Sequence, residues 1–505
     1  MTFRAARWGR TGGSAAHQPA GRSAHQPADR FAGRSADRDH WLLVAVAGVL
    51  SFVAMLDMNI VNVALADISA GLEVSDRTAQ WAVLGYQLPV VALLLPAGRW
   101  LDQVGIRAAL PAATAGFALC SALAAAAPSA GWLIAARFAQ GGCAAVLFVL
   151  MPVLALRSVR PALRGRAMSV PATLGPLGAV TGPAVGGLLL DQVGWRWIFL
   201  VKIPFCLLAL LVVRGLPLLR GRPPAWESVL PREGRLRAPD RYALGDAALV
   251  AAGVTILLLA LTLASASSAW LALTLAAAPP LWWWLRGPGG RPVREVLRTV
   301  PMAHTLGAVL TLALGFAAAR YVLALHLQRD AGASATTTGL TVLAFPLGMA
   351  LAGPLGGRLA DRFRTRAVAV AGAALTACGL LLLVPLDDGW SPAGIAWRLG
   401  VAGAGMGLNG GPTQALAMGA APPDRAATVG STVQLSRMLG FTLGPALATA
   451  AGGLGGAGSG VRAGIVLAGC AACLAVPLLG RGARAPTDQV PSPAGAADPA
   501  PAARR

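Results

Sequence analysis

Gly98-Arg-Trp-Leu-Asp102-Gln-Val-Gly105-Ile-Arg107 returns, altered but readable, as Gly357-Arg-Leu-Ala-Asp361-Arg362-Phe-Arg364-Thr-Arg366. Each copy lies between two long apolar runs. Each is followed by a Gly-Pro stretch: Gly178-Ala-Val-Thr-Gly182-Pro183, then Gly440-Phe-Thr-Leu-Gly444-Pro445. From the acid to the second glycine is 80 residues in the first copy (102 to 182) and 83 in the second (361 to 444). A duplicated membrane unit accounts for this better than chance. Duplicated halves are how many secondary transporters build a site between them.

Composition sets the class. The chain has 505 residues, 56% of them hydrophobic and only 12% charged, with a mean hydropathy of +0.63. A soluble protein carries about 25% charged residues, so this chain has more apolar surface than a water-soluble fold hides. Lipid demands that every backbone polar group be paired within its own segment or a closed barrel. The apolar runs are about 20 residues long, which suits helices and not the roughly 10-residue strands of outer-membrane barrels. The expected fold is an all-α integral membrane protein.

Net charge is +21, almost wholly arginine; Lys202 is the one lysine. Basic cytoplasmic loops explain this excess, so no nucleic-acid partner is expected. The six cysteines (Cys120, Cys143, Cys206, Cys378, Cys470 and Cys473) all fall inside apolar runs. They read as small buried hydrophobes and not as a disulfide framework. Cys470-x-x-Cys473 lacks the context of a redox fold.

Residues 1–40 are polar and repetitive: Ala16-His-Gln-Pro-Ala-Gly-Arg-Ser23 nearly recurs as Ala24-His-Gln-Pro-Ala-Asp-Arg-Phe31. This is a disordered basic tail or an over-extended start. The candidate spans are 41–65, 80–98, 107–127, 132–155, 167–190, 195–218, 244–264, 268–286, 303–327, 336–358, 367–386, 393–418, 427–451 and 461–480. With the N-terminus inside, the inside loops gather Arg99 and Arg107, the group Arg157 to Arg166, the group Arg214 to Arg241, the group Arg286 to Arg298, and Arg358 to Arg366. The outside loops hold few: Arg77, Arg196 with Lys202, Arg329 and Arg462. The alternation obeys the positive-inside rule from end to end. Dropping one span breaks it; dropping the pair 244–286 does not, so twelve and fourteen spans both remain open. The expected organisation is a six-helix bundle over 41–218, a cytoplasmic loop 219–243, two inserted helices over 244–286, a cytoplasmic loop 287–302, a second six-helix bundle over 303–480 and a disordered tail 481–505. Both termini are then cytoplasmic.

Other motifs stand in order. The first span carries Leu56-Asp57-Met-Asn59-Ile-Val-Asn62-Val-Ala-Leu65, and the fourth carries Arg137-Phe-Ala-Gln140-Gly141-Gly142. The fifth carries Gly178…Gly182-Pro183-Ala-Val-Gly186-Gly187, and the turn after it reads Trp195-Arg196-Trp197-Ile-Phe199. Together with the Gly98–Arg107 loop these resemble the fourteen-helix drug:proton antiporters of the major facilitator superfamily, over residues 41 to 480. The resemblance implies two pseudo-symmetric six-helix bundles with two extra helices between them. It also implies a latch at Gly98, Asp102, Gly105, Arg107, Asp361 and Arg362 that joins the halves in the outward-facing state. Gln103 and Ile106 depart from the family pattern, as does Arg364 in the second copy, so the first latch is expected to be weaker. Asp102 can also act simply as a clamp, accepting from the next helix's N-terminal amides and pairing with a nearby arginine. The glycines Gly178, Gly182, Gly186 and Gly187 permit close helix approach, and Pro183 bends the helix. The family associates this run with antiport; tight packing alone is the other reading.

Charges inside a bilayer are costly and usually mark a pathway. Asp57 is the one acid well inside a span of the first half. It lies roughly 24 Å along its helix, and Arg137 lies at similar depth, roughly 27 Å from its helix's cytoplasmic end. Gln140 shares the Arg137 face at i+3. Asp57 with Arg137 is therefore the expected proton-coupling pair, with a structural ion pair as the alternative. Asn59 and Asn62 lie on another face. They line the substrate cavity or bond neighbouring helices. Arg320 with Tyr321, Asn409, and Arg437 with Gln434 are the cavity candidates of the second half, with snorkelling or packing as the alternative. Asp246 is expected to cap a helix, and Lys202 to snorkel to the outer surface or meet an anionic substrate.

Absences discriminate too. A phosphate-binding loop needs a lysine, and the one lysine stands in Val201-Lys202-Ile203. No hydrolase elbow or zinc pattern occurs. The expectation is a monomeric, multi-pass exporter in the cytoplasmic membrane, not an enzyme. It needs no cofactor beyond a proton gradient, and its partners are protons, a small amphipathic molecule and lipid. The rivals are a narrow-substrate transporter of a nutrient, metabolite or siderophore, and a membrane enzyme or sensor on the same scaffold.

Overall fold

The computed structural model describes residues 39–214, 241–263, 270, 272–298, 300–386, 390–421, 425–454 and 460–481. The two predicted tails, apart from Asp39, His40 and Arg481, lie outside the described residues, as do most of the 219–243 loop and the link between the inserted helices. Among the described residues all regular structure is helical.

Helix α1 runs Trp41–Ile60 and continues through a 3-10 turn, Val61–Ala64, into Leu65–Gly71. Then come α2 (Trp81–Val104), α3 (Ile106–Ala125), α4 (Ala130–Arg157), α5 (Arg164–Val193) and α6 (Ile203–Arg214). The inserted region holds α7 (Arg241–Leu263), α8 (Leu273–Arg286) and the short α9 (Arg291–Arg298). The second half holds α10 (Val300–Leu325), α11 (Ala335–Arg362), α12 (Thr365–Leu381), α13 (Pro392–Gly419), α14 (Ala426–Leu454) and α15 (Gly460–Gly480). Eight helical stretches are long and apolar enough to cross a membrane, and the shorter Trp197–Val213, Leu244–Leu257 and Thr365–Leu381 are apolar as well. The chain is a multi-pass membrane protein.

Local sequence sets the helix ends. Gly105 turns the chain from α2 to α3 at φ 82°, a backbone region that glycine enters freely. Ser129, Ser334 and Ser391 cap α4, α11 and α13; each hydroxyl accepts the N–H three residues on. Prolines stand inside α2 (Pro89, Pro96) and α5 (Pro171, Pro176, Pro183), where packed neighbours hold the helix together.

Two expectations need correction. The stretch 195–218 is not one helix: a short turn Trp197–Leu200 breaks at Val201 and Lys202, and α6 begins at Ile203. Pro204 lacks an N–H and suits the first turn of a restarted helix. The 287–302 loop, in turn, contains α9, whose Val293 and Val296 are buried while Arg291 and Arg298 stay exposed. Its period of three sets an apolar stripe against a basic face.

The duplication reappears in packing. In the first half α1 packs on α5 and α6, α4 packs on α2 and α3, and α3 packs on α6. In the second half α10 packs on α14 and α15, α13 packs on α11 and α12, and α12 packs on α15. The pairs correspond helix for helix. The two halves then meet through reciprocal contacts, α5 on α11 and α2 on α14, with α5 also touching α13 and α4 touching α14.

Glycine makes the close contacts possible. A Cβ at Gly178 of α5 would meet the Phe52 carbonyl carbon of α1 at 2.9 Å, and one at Gly182 would meet Leu56 O at 3.2 Å. The copies Gly440 and Gly444 sit likewise against α10, where a Cβ would meet Leu314 N at 3.0 Å and Ala318 N at 2.8 Å. Gly178→Ala is expected to push α1 from α5 and cost about 1–3 kcal/mol. Thermal unfolding in detergent checks this: an unchanged midpoint contradicts it.

Candidate transport site and latch

A buried ionic cluster lies inside the first half. Asp57 sits on α1 with 0% exposure, Arg137 on α4 with 1%, and Lys202 in the break before α6 with 1%. The Arg137 guanidinium donates to Asp57 Oδ1 at 2.9 Å and Oδ2 at 2.8 Å. It also donates to Gln140 Oε1 at 2.8 Å and, through Nε, to the Ala82 carbonyl of α2 at 2.9 Å. Gln140 passes the chain on to Ser121 of α3 at 2.7 Å. Lys202 Nζ donates to Asp57 Oδ1. Aromatic faces close the cluster: the Arg137 guanidinium stands 4.3 Å from the Tyr86 ring and 5.6 Å from Phe199, and Lys202 Nζ stands 5.0 Å from Phe199.

Five elements thus converge on one carboxylate that faces two cations. The geometry satisfies both Asp57 oxygens, as a buried charge requires. Sequence reasoning placed Lys202 near the outer surface; the break at Val201–Lys202 instead turns it inward onto Asp57. Its signal was present all along as the one lysine in a chain of arginines. Its ammonium is a compact point charge beside the flat Arg137 guanidinium.

The other predicted residues are dispersed. Asn59 donates to Met55 O at 2.8 Å and Asn62 to Met58 O at 3.4 Å, both within their own helix. Asn409 is buried and donates to Ala369 O of α12 at 2.8 Å, which ties α12 to α13. The Tyr321 hydroxyl accepts from Thr449 at 3.3 Å, joining α10 to α14. Arg437 donates to Gln414 Oε1 of α13 at 3.3 Å, and Gln434 is buried one turn below it. Arg320 is exposed near the far end of α10. Pro183 is exposed, and a Cβ at Gly187 would meet nothing within 4 Å, whereas Gly186 packs on Ile60.

The latch acids have partners that the sequence did not show. Asp102 does not accept from the next helix. Its oxygens take the N–H groups of Ala427 and Thr428 at 2.9 Å each and the Thr428 hydroxyl at 2.6 Å, at the start of α14 in the other half. Asp361 does the same in mirror fashion: its oxygens accept the Arg166 N–H at 3.2 and 3.3 Å, near the start of α5, and the Arg166 guanidinium lies 3.7 Å away. Each carboxylate meets the positive end of a helix dipole across the interface. Gly98 and Gly357 let the backbones close: a Cβ would meet Ala427 O at 2.8 Å or Arg166 Cα at 2.8 Å. Arg362 is exposed and stacks near Phe363 at 5.8 Å, away from the interface. Arg107 flanks the Gly105 turn at the start of α3.

The inserted helices brace this closure. Asp246 does not cap α7; it pairs with Arg99 of α2 at 3.1 Å. Glu295 of α9 takes Arg425, beside the start of α14, and Arg291 of its own helix at 3.0 Å. The bond from Arg425, then that from Arg291, holds the Glu295 carboxyl below its usual range. Whatever this exposed brace contributes is present above the ordinary carboxylate pKa and is lost only as pH falls through the lowered value.

All the glycine approaches across the halves lie towards this arginine-rich end, reaching no farther than Gly353 against Thr173. Thr173 is nine residues into α5, roughly 14 Å by helical rise. The closest glycine contacts between the halves are therefore gathered at one end.

A duplicated helical bundle with reciprocal acid-to-helix clamps and a buried ionic cluster is the architecture of a secondary transporter. The Major Facilitator Superfamily model matches residues 47–288 and 305–504, and the chain belongs to that superfamily. Multidrug resistance protein Stp of Mycobacterium tuberculosis is 29% identical over 413 residues, 81% of this chain and 75% of the relative. Puromycin resistance protein pur8 of Streptomyces alboniger is 29% identical over 424 residues, 81% of each chain. Both relatives are named for drug resistance. The proton:xylose symporter XylE shares the fold, with a TM-score of 0.59 at 14% identity over 86% of this chain and 94% of that one. The superfamily's members are transporters, not enzymes.

Proposed function

We propose that this chain exports small amphipathic molecules (drugs, dyes or natural products) in exchange for protons, by alternating access, as a monomer in the cytoplasmic membrane. Fourteen helices cross the bilayer with both termini inside; the end-to-end alternation of arginine-rich loops supports this orientation. The arginine-rich end, where the glycine contacts between the halves gather, is then cytoplasmic, as an outward-facing state of the cycle requires. A proton gradient, with no bound cofactor, supplies the drive.

The observation that carries this reading is the Asp57–Arg137–Lys202 cluster. With all three groups ionised it holds one negative and two positive charges. Protonating Asp57 would strip two buried cations of their partner. Removing the Lys202 proton leaves a neutral cluster. Lys202 is thus the group that takes and gives the proton, Asp57 the fixed counter-charge, and Arg137 the anchor that orients it. The other titratable groups against it are Tyr86 on α2 and Cys206, one turn along α6. A proton from outside loads the cluster, the latches at Asp102 and Asp361 release, and substrate leaves on the return stroke.

The test is resistance of a drug-sensitive bacterial host that expresses the chain, across a panel including puromycin, cationic dyes and aromatic acids. Raised tolerance that a protonophore removes is expected, and Lys202→Met is expected to lose it at equal membrane abundance. Tolerance that persists with the gradient collapsed would contradict proton coupling. No change across the panel, with protein present in the membrane, would contradict efflux.

A further inference from the structure

The second half carries charge that the cluster of the first half does not balance. Arg437 is on α14, and its guanidinium meets a neutral amide, Gln414, and no carboxylate among the described residues. Arg320 on α10 likewise meets no carboxylate among them. Among the described residues the acids between 301 and 480 are Asp330 and Asp361, and both stand at helix ends. Arg320 is exposed, but Arg437 is half-buried, and a half-buried cation without a counter-charge is expensive in a membrane and persists where function needs it.

Helical phase gives Arg437 its direction. Ala427 meets Asp102 of the first half, and Gly430, one turn on, lies 3.7 Å from Pro152 by the position of a Cβ. Gln434, Arg437 and Phe441 continue the same stripe at steps of three or four residues. Ser436 donates to Leu306 O, and Gly440 and Gly444 pack on α10; Gly444, seven residues after Arg437, lies on nearly the same face. Arg437 therefore lies where the face towards the first half passes into the face against α10, about two turns beyond the Gly430 contact. Aromatic rings adjoin it. Phe441 lies one turn outward, 5.9 Å from Phe316 of α10, which lies 4.4 Å from Phe345 of α11. Arg320 follows Phe316 by one turn on the same face of α10. The surface reads cation, rings, cation along the direction of transport.

We propose that this stripe binds an aromatic organic anion, with the carboxylate, sulfonate or phenolate of the ligand on Arg437 and its ring against Phe441 and Phe316. The ligand supplies the missing counter-charge, and the guanidinium fork matches a flat oxyanion. Arg320 adds a second positive charge one turn beyond Phe316. The proposal names the substrate class of the export reading and rests on it for the direction of movement, but binding itself does not depend on proton coupling.

The test is binding to the purified full-length protein in detergent, using a matched set: 1-naphthoate, 1-naphthylmethanol and 1-naphthylmethylammonium. The anion is expected to bind at least about tenfold more tightly than the other two, the scale of one charge-assisted hydrogen bond. Arg437→Gln is expected to lose that preference, Arg437→Lys to keep part of it, and Arg320→Gln to weaken it less. Each variant is accepted only with an unchanged unfolding midpoint. Equal binding of the three probes to the wild type, or a preference surviving in Arg437→Gln, overturns the proposal; so does tighter binding of the cation. If the anion binds as expected but resistance and proton flux are absent, the export reading fails and the anion site stands.

Discussion

Asp57→Ala is expected to cost folding, not only transport. It leaves the Arg137 guanidinium and the Lys202 ammonium buried together, with side-chain exposure of 1% each and no counter-charge. Removing one partner of a buried ion pair costs on the order of 3–5 kcal/mol, and here the loss strands two cations. The folded fraction in the membrane should fall sharply, and what survives should not couple. The control is Lys202→Met. It leaves Asp57 with Arg137 as a neutral pair, one guanidinium nitrogen still facing both carboxylate oxygens and the side chain still tied to Gln140 and Ala82. This variant should unfold at the wild-type temperature or above it while losing proton movement. Thermal unfolding of the two variants in detergent separates stability from coupling. An Asp57→Ala protein as stable as wild type would mean that the cluster is not the ionic core described here.

The second large effect concerns the latch. Asp102→Asn with Asp361→Asn should shift the conformational equilibrium from sealed to open at the arginine-rich end. An amide in place of each carboxylate keeps the shape but gives up a charge-assisted bond to backbone N–H groups at a helix start. Such bonds are worth about 1.5–3 kcal/mol, so the pair can move the equilibrium by two orders of magnitude or more. Spin labels near the α2 and α14 ends would report a longer distance in the double variant. The single Asp361→Asn should act less than Asp102→Asn, because Asp102 takes three donors at 2.6–2.9 Å and Asp361 takes longer ones. An unchanged distance in the double variant would mean that the inserted helices, through Asp246 and Glu295, hold the closure without the acids.

Much of this architecture is legible in the residues. The repeated Gly98…Arg107 and Gly357…Arg366 stretches announce two halves, and the paired glycines of α5 and α14 appear against α1 and α10 as close approaches. Asp57 and Arg137 were expected at one depth, and they bond. The partners of Asp102 were hidden because they lie 325 and 326 residues away in sequence. Spacing along a helix says which face a residue takes, not which helix of the other half covers it. Lys202 was misplaced for a different reason. Hydropathy over 195–218 is continuous, so the break before Pro204 and the inward turn it permits leave no trace in a hydropathy profile. Asn59 was read as lining the cavity or bonding a neighbouring helix, and Asn409 as lining it or packing. Asn59 bonds a carbonyl of its own helix and Asn409 one of α12, a choice that helical spacing alone does not reveal.

The account rests most heavily on proton exchange through the cluster. The measurement that tests it is proton movement in proteoliposomes loaded with a pH-sensitive dye, with wild-type protein beside Lys202→Met at matched orientation and amount. Adding a transported substrate to the wild type should move protons at once, and Lys202→Met, equally folded, should move none. Substrate-driven proton movement of wild-type size in Lys202→Met would contradict the account and place the proton site elsewhere.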